Sequence, residues 1–192
     1  MIKSQVPFLI YRCLALVIAS TVAAGTLVPA SARASGASAR AVDVPATLRP
    51  PASQELMLEL LAKGVQVYEC ASSSEAYRFE WKFKGPEADL SDRAGRPMGT
   101  HYGGPTWEAP DGSKIVAEVR ARANATDPAA IPLLLLNVKA NSGNGVFSNV
   151  RSIQRLETVG GIAPAEPCTA QEVTRVARVP YTATYYLYVE RP

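Results

Sequence analysis

The chain has 192 residues, 47% of them hydrophobic and 19% charged, with three cysteines, a single histidine and a formal net charge of +3. Those totals exclude a disordered chain, which would carry fewer apolar residues, and a polytopic membrane protein, which would carry longer apolar runs. One histidine and three cysteines also disfavour zinc or copper, since such centres take two or three imidazole or thiolate ligands.

At the N-terminus Lys3 and Arg12 precede the uncharged stretch Cys13 to Val28, followed by Pro29-Ala30-Ser31-Ala32. A basic start, an apolar middle and a small-residue cleavage site predict a secretory signal peptide over residues 1–32. The apolar run is short for a bilayer span and is interrupted by Ser20, Thr21, Gly25 and Thr26, so no membrane span is expected after cleavage. Loss of the leader removes Lys3 and Arg12 and leaves 18 basic residues against 17 acidic ones, interleaved along the chain. Nucleic acid is therefore not an expected partner, because phosphate binding needs clustered Lys and Arg with little opposing acid. Cleavage also leaves two cysteines, Cys70 and Cys168, in an oxidising compartment, where they are expected to form a disulfide. The expected destination is secreted or periplasmic.

Residues 33–43 are rich in Ala, Ser, Arg and Gly without periodicity and read as a flexible linker; a single β-rich domain is expected over 44–192. Ser53, Glu55 and Gly64 have the positions of a cap, a first-turn acid and a stop, which predicts one short helix over Gln54 to Lys63. The rest reads as strand. Tyr77, Phe79, Trp81 and Phe83 alternate with Arg78, Glu80, Lys82 and Lys84, and Ile115, Ala117, Val119 and Ala121 alternate with Val116, Glu118, Arg120 and Arg122 after the turn Pro110-Asp111-Gly112. Trp107, just before that turn, suggests a hairpin. Val65–Cys70, Leu133–Lys139, Val150–Thr158 and Thr182–Val189 complete the strands; Leu133 to Leu136, apolar at every residue, should be buried on both faces. Short strands punctuated by proline and glycine predict a single-domain antiparallel β-sandwich or small β-barrel, with one N-terminal helix and one disulfide.

The densest cluster of unusual residues runs from Met98 to Trp107 and continues in Asp111-Gly112-Ser113. Gly99, Gly103 and Gly104 beside His101 and Tyr102 permit positive φ or a close backbone approach, so a ligand could reach His101, Tyr102 and Trp107 together. No G-x-S-x-G elbow occurs, a Cys nucleophile is excluded if the disulfide forms, and Gly143-Asn144-Gly145 lacks the third glycine of a dinucleotide loop. Asp89, Ser91 and Asp92 do not have the spacing of a calcium loop. No cofactor and no metal are expected.

Several segments, in order, resemble a known family, the domain-of-unknown-function family DUF3455 of secreted bacterial and fungal proteins. They are Gly64-Val65-Gln66-Val67-Tyr68-Glu69-Cys70, His101-Tyr102-Gly103-Gly104-Pro105-Thr106-Trp107 with Asp111-Gly112-Ser113, Ile131 to Leu135, Ile153-Gln154-Arg155, Thr158 to Pro164 with Cys168, and Val179 to Ala183. The resemblance covers nearly all of the expected mature domain. It implies no activity, but it sets His101, Trp107 and Asp111 in the family's signature block and supports the cysteine pair.

Two functional readings follow. The preferred one is a non-catalytic β-domain that binds a small molecule, glycan or cell-envelope partner at His101, Tyr102 and Trp107, since aromatic faces suit sugar rings and apolar ligands. The alternative is a small secreted enzyme of hydrolase or isomerase type, with His101 as general acid or base, Tyr102 or Asp111 assisting, and Arg155 steadying an anion.

Overall fold

Leu58, Leu60, Ala62, Gln66, Tyr68 and Cys70 lie at even positions, and in a strand such residues share a face. The computed structural model, which describes residues 44–75, 77–166 and 168–192, forms one long strand here, β1 (Gln54–Ser72), with those side chains buried or half-buried. The signal peptide expected over 1–32 and the linker expected over 33–43 lie outside the described residues.

The helix expected over Gln54 to Lys63 is not formed; its residues are the first half of β1. The helical pattern set Leu56 with Leu60, but Leu56 is 51% exposed while Leu58 packs on the core beside Leu60 and Ala62. A ten-residue helix is marginal in isolation, whereas a strand here gains a partner along its whole length. Gly64, the expected helix stop, is a point of close approach: a Cβ on it would lie 2.1 Å from the Glu87 carbonyl oxygen.

Seven further strands follow: β2 (Phe79–Ser91), β3 (Pro97–Tyr102), β4 (Thr106–Glu108), β5 (Lys114–Ala123), β6 (Leu133–Ser142), β7 (Val150–Gly160) and β8 (Val176–Glu190). Each pairs antiparallel with the next, and β8 returns to β1 from Gln54↔Glu190 to Glu69↔Val176, so the single sheet closes into an eight-stranded ring. The protein is mainly β, and the helical segments among the described residues are two 3-10 turns of three residues each.

Closure sorts the side chains. Inside lie Leu60, Ala88, Leu90, Trp107, Ile115, Leu136, Ile153, Tyr185 and Leu187. The all-apolar run in β6 is buried on both faces, as its composition requires: Leu134 and Leu136 belong to this core, while Leu135, 1% exposed, packs outside the ring with Leu156 beneath Leu48 of the N-terminal turn Ala46–Leu48. In β5 the register slips between Val119 and Ala121, which breaks the expected alternation and leaves Ala121 outside with Leu135. In β2 the alternation starts at Phe79, with Tyr77 fully exposed at φ 58°. Because β3 accompanies β2 only as far as Glu87↔Tyr102, the residues from Phe79 to Pro86 pair with β1 alone, and Phe83, 54% exposed, reaches the cavity lining.

The two ends differ. At one, the β6–β7 loop inserts Phe147, fully buried, and closes the barrel. At the other, the β3–β4 and β5–β6 connections flank an opening with Gly104, Pro105, Ile131 and Pro132. There the Cys70–Cys168 disulfide, Cα atoms 5.8 Å apart, ties the β7–β8 connection to β1.

Candidate functional site

The opening leads into a cavity of about 290 Å³. Apolar walls come from Phe83, Ile131, Leu134, Leu136 and Trp107, and polar groups from Gln66, Tyr68, His101, Arg155 and Tyr185, with Lys84 and Arg122 also on the lining. The bulge in β5 brings both Val119 and Arg122 to this cavity, which a strict alternation would have placed on opposite faces.

His101 and Trp107 are directly opposed across β3 and β4. Gly99 makes that register possible, since at φ +138° its place is closed to a side chain, whose Cβ would lie 2.1 Å from the Glu108 carbonyl oxygen. The imidazole stacks on the indole with ring centres 4.1 Å apart, and Tyr185 meets both rings edge-on at 5.0 and 5.3 Å. Nδ1 of His101 is 2.8 Å from the Thr106 carbonyl oxygen. A carbonyl can only accept, so Nδ1 carries the hydrogen and Nε2 is left as a lone-pair acceptor. Burial pushes the His101 pKa down to about 3, against a smaller opposing pull from the Thr106 carbonyl, and the Arg155 cation pushes it further down. The ring is therefore neutral throughout the physiological range.

Four buried polar atoms have no hydrogen-bond partner among the described residues: Gln66 Nε2, Trp107 Nε1 and the hydroxyl oxygens of Tyr181 and Tyr185. Three of these four residues line the cavity. Burial raises the pKa of both tyrosines, and although the two perturb one another and Arg155 is close enough to perturb Tyr185, neither hydroxyl closes a bond of ordinary geometry. An unsatisfied buried donor costs about 1–3 kcal/mol, so each of these groups weighs against the stability of the fold as it stands. Arg155 is held by two bonds from Nε and Nη2 to the Pro132 carbonyl oxygen, at 3.1 and 2.8 Å, and its charge is felt at Tyr68, Tyr185 and His101.

The residues singled out in the sequence divide into two groups. His101, Trp107 and Arg155 meet at the cavity. Tyr102 does not join them, because successive side chains of a strand point to opposite faces and His101 takes the inward one. The Tyr102 hydroxyl instead donates to Glu108 at 2.5 Å, and Glu108 pairs with Lys114 at 3.1 Å. Asp111 lies at the closed end, remote in the fold from the cavity lining. Its carboxylate accepts from Ser113 N (2.8 Å), Ser113 Oγ (2.6 Å) and Val146 N (2.8 Å), bonds that hold its pKa below the usual carboxylate range, and Ser113 Oγ accepts from Phe147 N at 3.1 Å. That network seats the Phe147 plug. Among the described residues there is no group of three His, Cys, Asp or Glu side chains able to hold a metal ion, and no helix long and apolar enough to cross a membrane.

The family model described as protein of unknown function (DUF3455) matches residues 51–189. The chain belongs to the DUF3455 family. No curated protein and no solved structure matches it. In this DUF3455 domain the match spans all eight strands, from near the start of β1 to near the end of β8, so the family's segment and the closed sheet coincide.

Gln66, Tyr68 and Tyr185 line the cavity of the DUF3455 domain without belonging to the candidate site read from the sequence. Their signal is positional: Gln66 and Tyr68 continue the inward register of Leu60 and Ala62, and Tyr185 sits between Ala183 and Leu187 on the inward face of β8. A glutamine or tyrosine in an inward register stands out once the phase of the strand is known.

Proposed function

We propose that this is an exported, secreted or periplasmic domain that binds a small, largely apolar molecule in the open end of its barrel without transforming it. The carrying observation is the cavity of about 290 Å³ lined by Gln66, Trp107 and Tyr185, residues whose Nε2, Nε1 and hydroxyl are buried without protein partners. An apolar pocket with a few placed polar groups is the common form of a small-molecule site, and 290 Å³ lies at the small end of that range. Export is supported by the leader-like N-terminus and by a disulfide, which persists in oxidising compartments.

Binding is favoured over the other readings by particular groups. A glycan stacks on an exposed aromatic face, and Trp107 is 1% exposed, so the ligand must enter rather than lie across the surface. A general acid or base works best with a pKa near the operating pH, whereas His101 is held near 3 with its Nδ1 committed to a backbone carbonyl. Its Nε2 is suited to accept a hydrogen bond from a ligand.

The test is a thermal-shift screen of the purified protein with small aromatic and aliphatic compounds, oligosaccharides and metal ions, repeated on Val119→Trp. Val119 lines the cavity yet is half exposed, so a larger side chain there fills the cavity while remaining compatible with the fold. A ligand at one hundred times its Kd stabilises by about 2.7 kcal/mol, which for a domain of this size raises Tm by roughly 5–10 °C. A small apolar compound should shift wild type and not the variant. Equal shifts in both proteins for every active compound would refute the cavity as the site.

A further inference from the structure

We propose that the ligand is an anion: a small apolar carboxylate whose head group is taken by Arg155 and the buried donors of Gln66, Trp107 and Tyr185. This deepens the cavity reading above and rests on it.

The charge on the lining is one-sided. Lys84, Arg122 and Arg155 contribute to it, and no aspartate or glutamate does. Lys84 reaches Glu69 at 3.4 Å, but Arg122 and Arg155 make no ion pair among the described residues. Arg155 is the half-buried member of the set. A guanidinium taken out of water without a counterion is costly unless something compensates it, and the two bonds to Pro132 O supply only part of that. Those bonds fix the plane of the guanidinium, which also lies close enough to the Tyr185 hydroxyl that, against the larger rise from burial, it lowers its pKa. Arginine in such a fixed orientation is the residue best suited to a carboxylate.

The neutral groups agree with the charge. Gln66 Nε2 and Trp107 Nε1 can only donate, and the Tyr185 hydroxyl can donate, so what they lack is an acceptor. A carboxylate offers two oxygens with about four acceptor sites and one negative charge, matching one half-buried cation. A dianionic phosphate would bring a second charge into a wall made largely of Leu134, Leu136, Ile131 and Phe83. An amine would bring a fourth positive charge beside Lys84, Arg122 and Arg155 with no carboxylate on the lining to offset it, although His101 Nε2 could accept one of its hydrogens. The volume sets the apolar part: a cavity of about 150 Å³ takes benzene, so about 290 Å³ has room for roughly a dozen non-hydrogen atoms.

The probes are 4-phenylbutanoate, its primary amide and 4-phenylbutylamine, which share size and apolar body and differ in head group. Isothermal titration of the wild-type protein near neutral pH should give the carboxylate at least tenfold tighter than the amide, with no detectable binding of the amine. Arg155→Met should reduce carboxylate affinity to that of the amide and leave the amide unchanged, while Arg155→Lys should retain part of the preference. Should Arg155→Met fail to fold, the three-way comparison on wild type decides alone. An amide that binds as tightly as the carboxylate, or a preference that survives Arg155→Met, would overturn the anion while leaving the cavity reading standing. Failure of all three to bind would overturn the anion; the cavity reading falls as well if the screen with Val119→Trp has also found no cavity-dependent compound.

Discussion

His101 is the only histidine in the chain, so a proton taken up between pH 7.5 and 5 on unfolding can be assigned to it. Burial holds its native pKa near 3, and the unfolded chain should have the ordinary value near 6.5. Between those values the unfolded state carries a proton that the native state refuses, so stability is full above pH 6.5 and declines as pH falls. The slope approaches about 1.4 kcal/mol per pH unit, and integrating from pH 7.5 to 5 gives a loss of about 2 kcal/mol. The window stops at pH 5 for a reason. Glu87, Asp92, Glu108, Asp111 and Glu172 have lowered pKa values from ion pairs and hydrogen bonds, and their protonation at lower pH adds acid sensitivity of the same sign. The assay is urea unfolding at pH 7.5 and pH 5 for wild type and His101→Asn, whose amide can still donate to the Thr106 carbonyl. The variant should be less stable at pH 7.5 but should lack the decline of about 2 kcal/mol. The imidazole resonance of the native protein should not titrate between pH 8 and 4.5. Parallel losses in both proteins, or a native imidazole titrating near pH 6.5, would refute the argument that burial keeps this ring neutral.

Replacing Cys70 and Cys168 by serine opens a crosslink spanning 98 residues, and urea unfolding should show a loss of up to about 4–5 kcal/mol on the chain-entropy account; wild type under strong reductant should approach the variant. Leu135→Ala removes a side chain buried against Leu48 and Leu156 and should cost about 2–5 kcal/mol by the same measurement, with the carboxylate preference of the cavity unchanged. Asp111→Asn should lower Tm, because the amide cannot accept at both oxygens from Ser113 and Val146. Tyr102→Phe and Asp111→Asn should both leave ligand affinity at the wild-type value when measured by titration; a tenfold loss in either would place that residue at the site after all.

The fold was legible wherever strand alternation runs undisturbed. Ile115 and Ala117 fall inward as written, and Trp107 pairs with Ile115 across the turn that Pro110-Asp111-Gly112 announces. Leu133 to Leu136 reads as doubly buried, although nothing in the run itself says that a turn from residues 46–48 supplies the outer cover. Misreading came where two periods compete. Leu56, Met57, Leu60 and Leu61 satisfy a helical stripe, and a register slip between Leu56 and Leu58 offsets the strand phase there, so the capping signals at Ser53 and Gly64 point to a helix that does not form. The pairing with β8 that decides the matter joins residues more than a hundred positions apart.

The candidate site was legible only in part for a related reason. Glycines mark His101 and Trp107 because β3 and β4 must approach closely, which is a local constraint and is visible locally. Tyr102 looks equally marked, yet its neighbour's inward position excludes it, so a cluster of unusual residues in a strand has to be thinned by half before it is read as a site. Gln66, Arg155 and Tyr185 come from β1, β7 and β8 and have no neighbourhood in common until the ring closes. What they share is phase: Gln66 follows Leu60 and Ala62, Arg155 follows Ile153, and Tyr185 lies between Ala183 and Leu187, each polar in a register that is otherwise core. Such a residue costs free energy in a filled barrel. On the proposed binding function an occupant of the cavity offsets that cost, and the donors left unpaired at Gln66 and Tyr185 are what select an acceptor for its head group in that proposal.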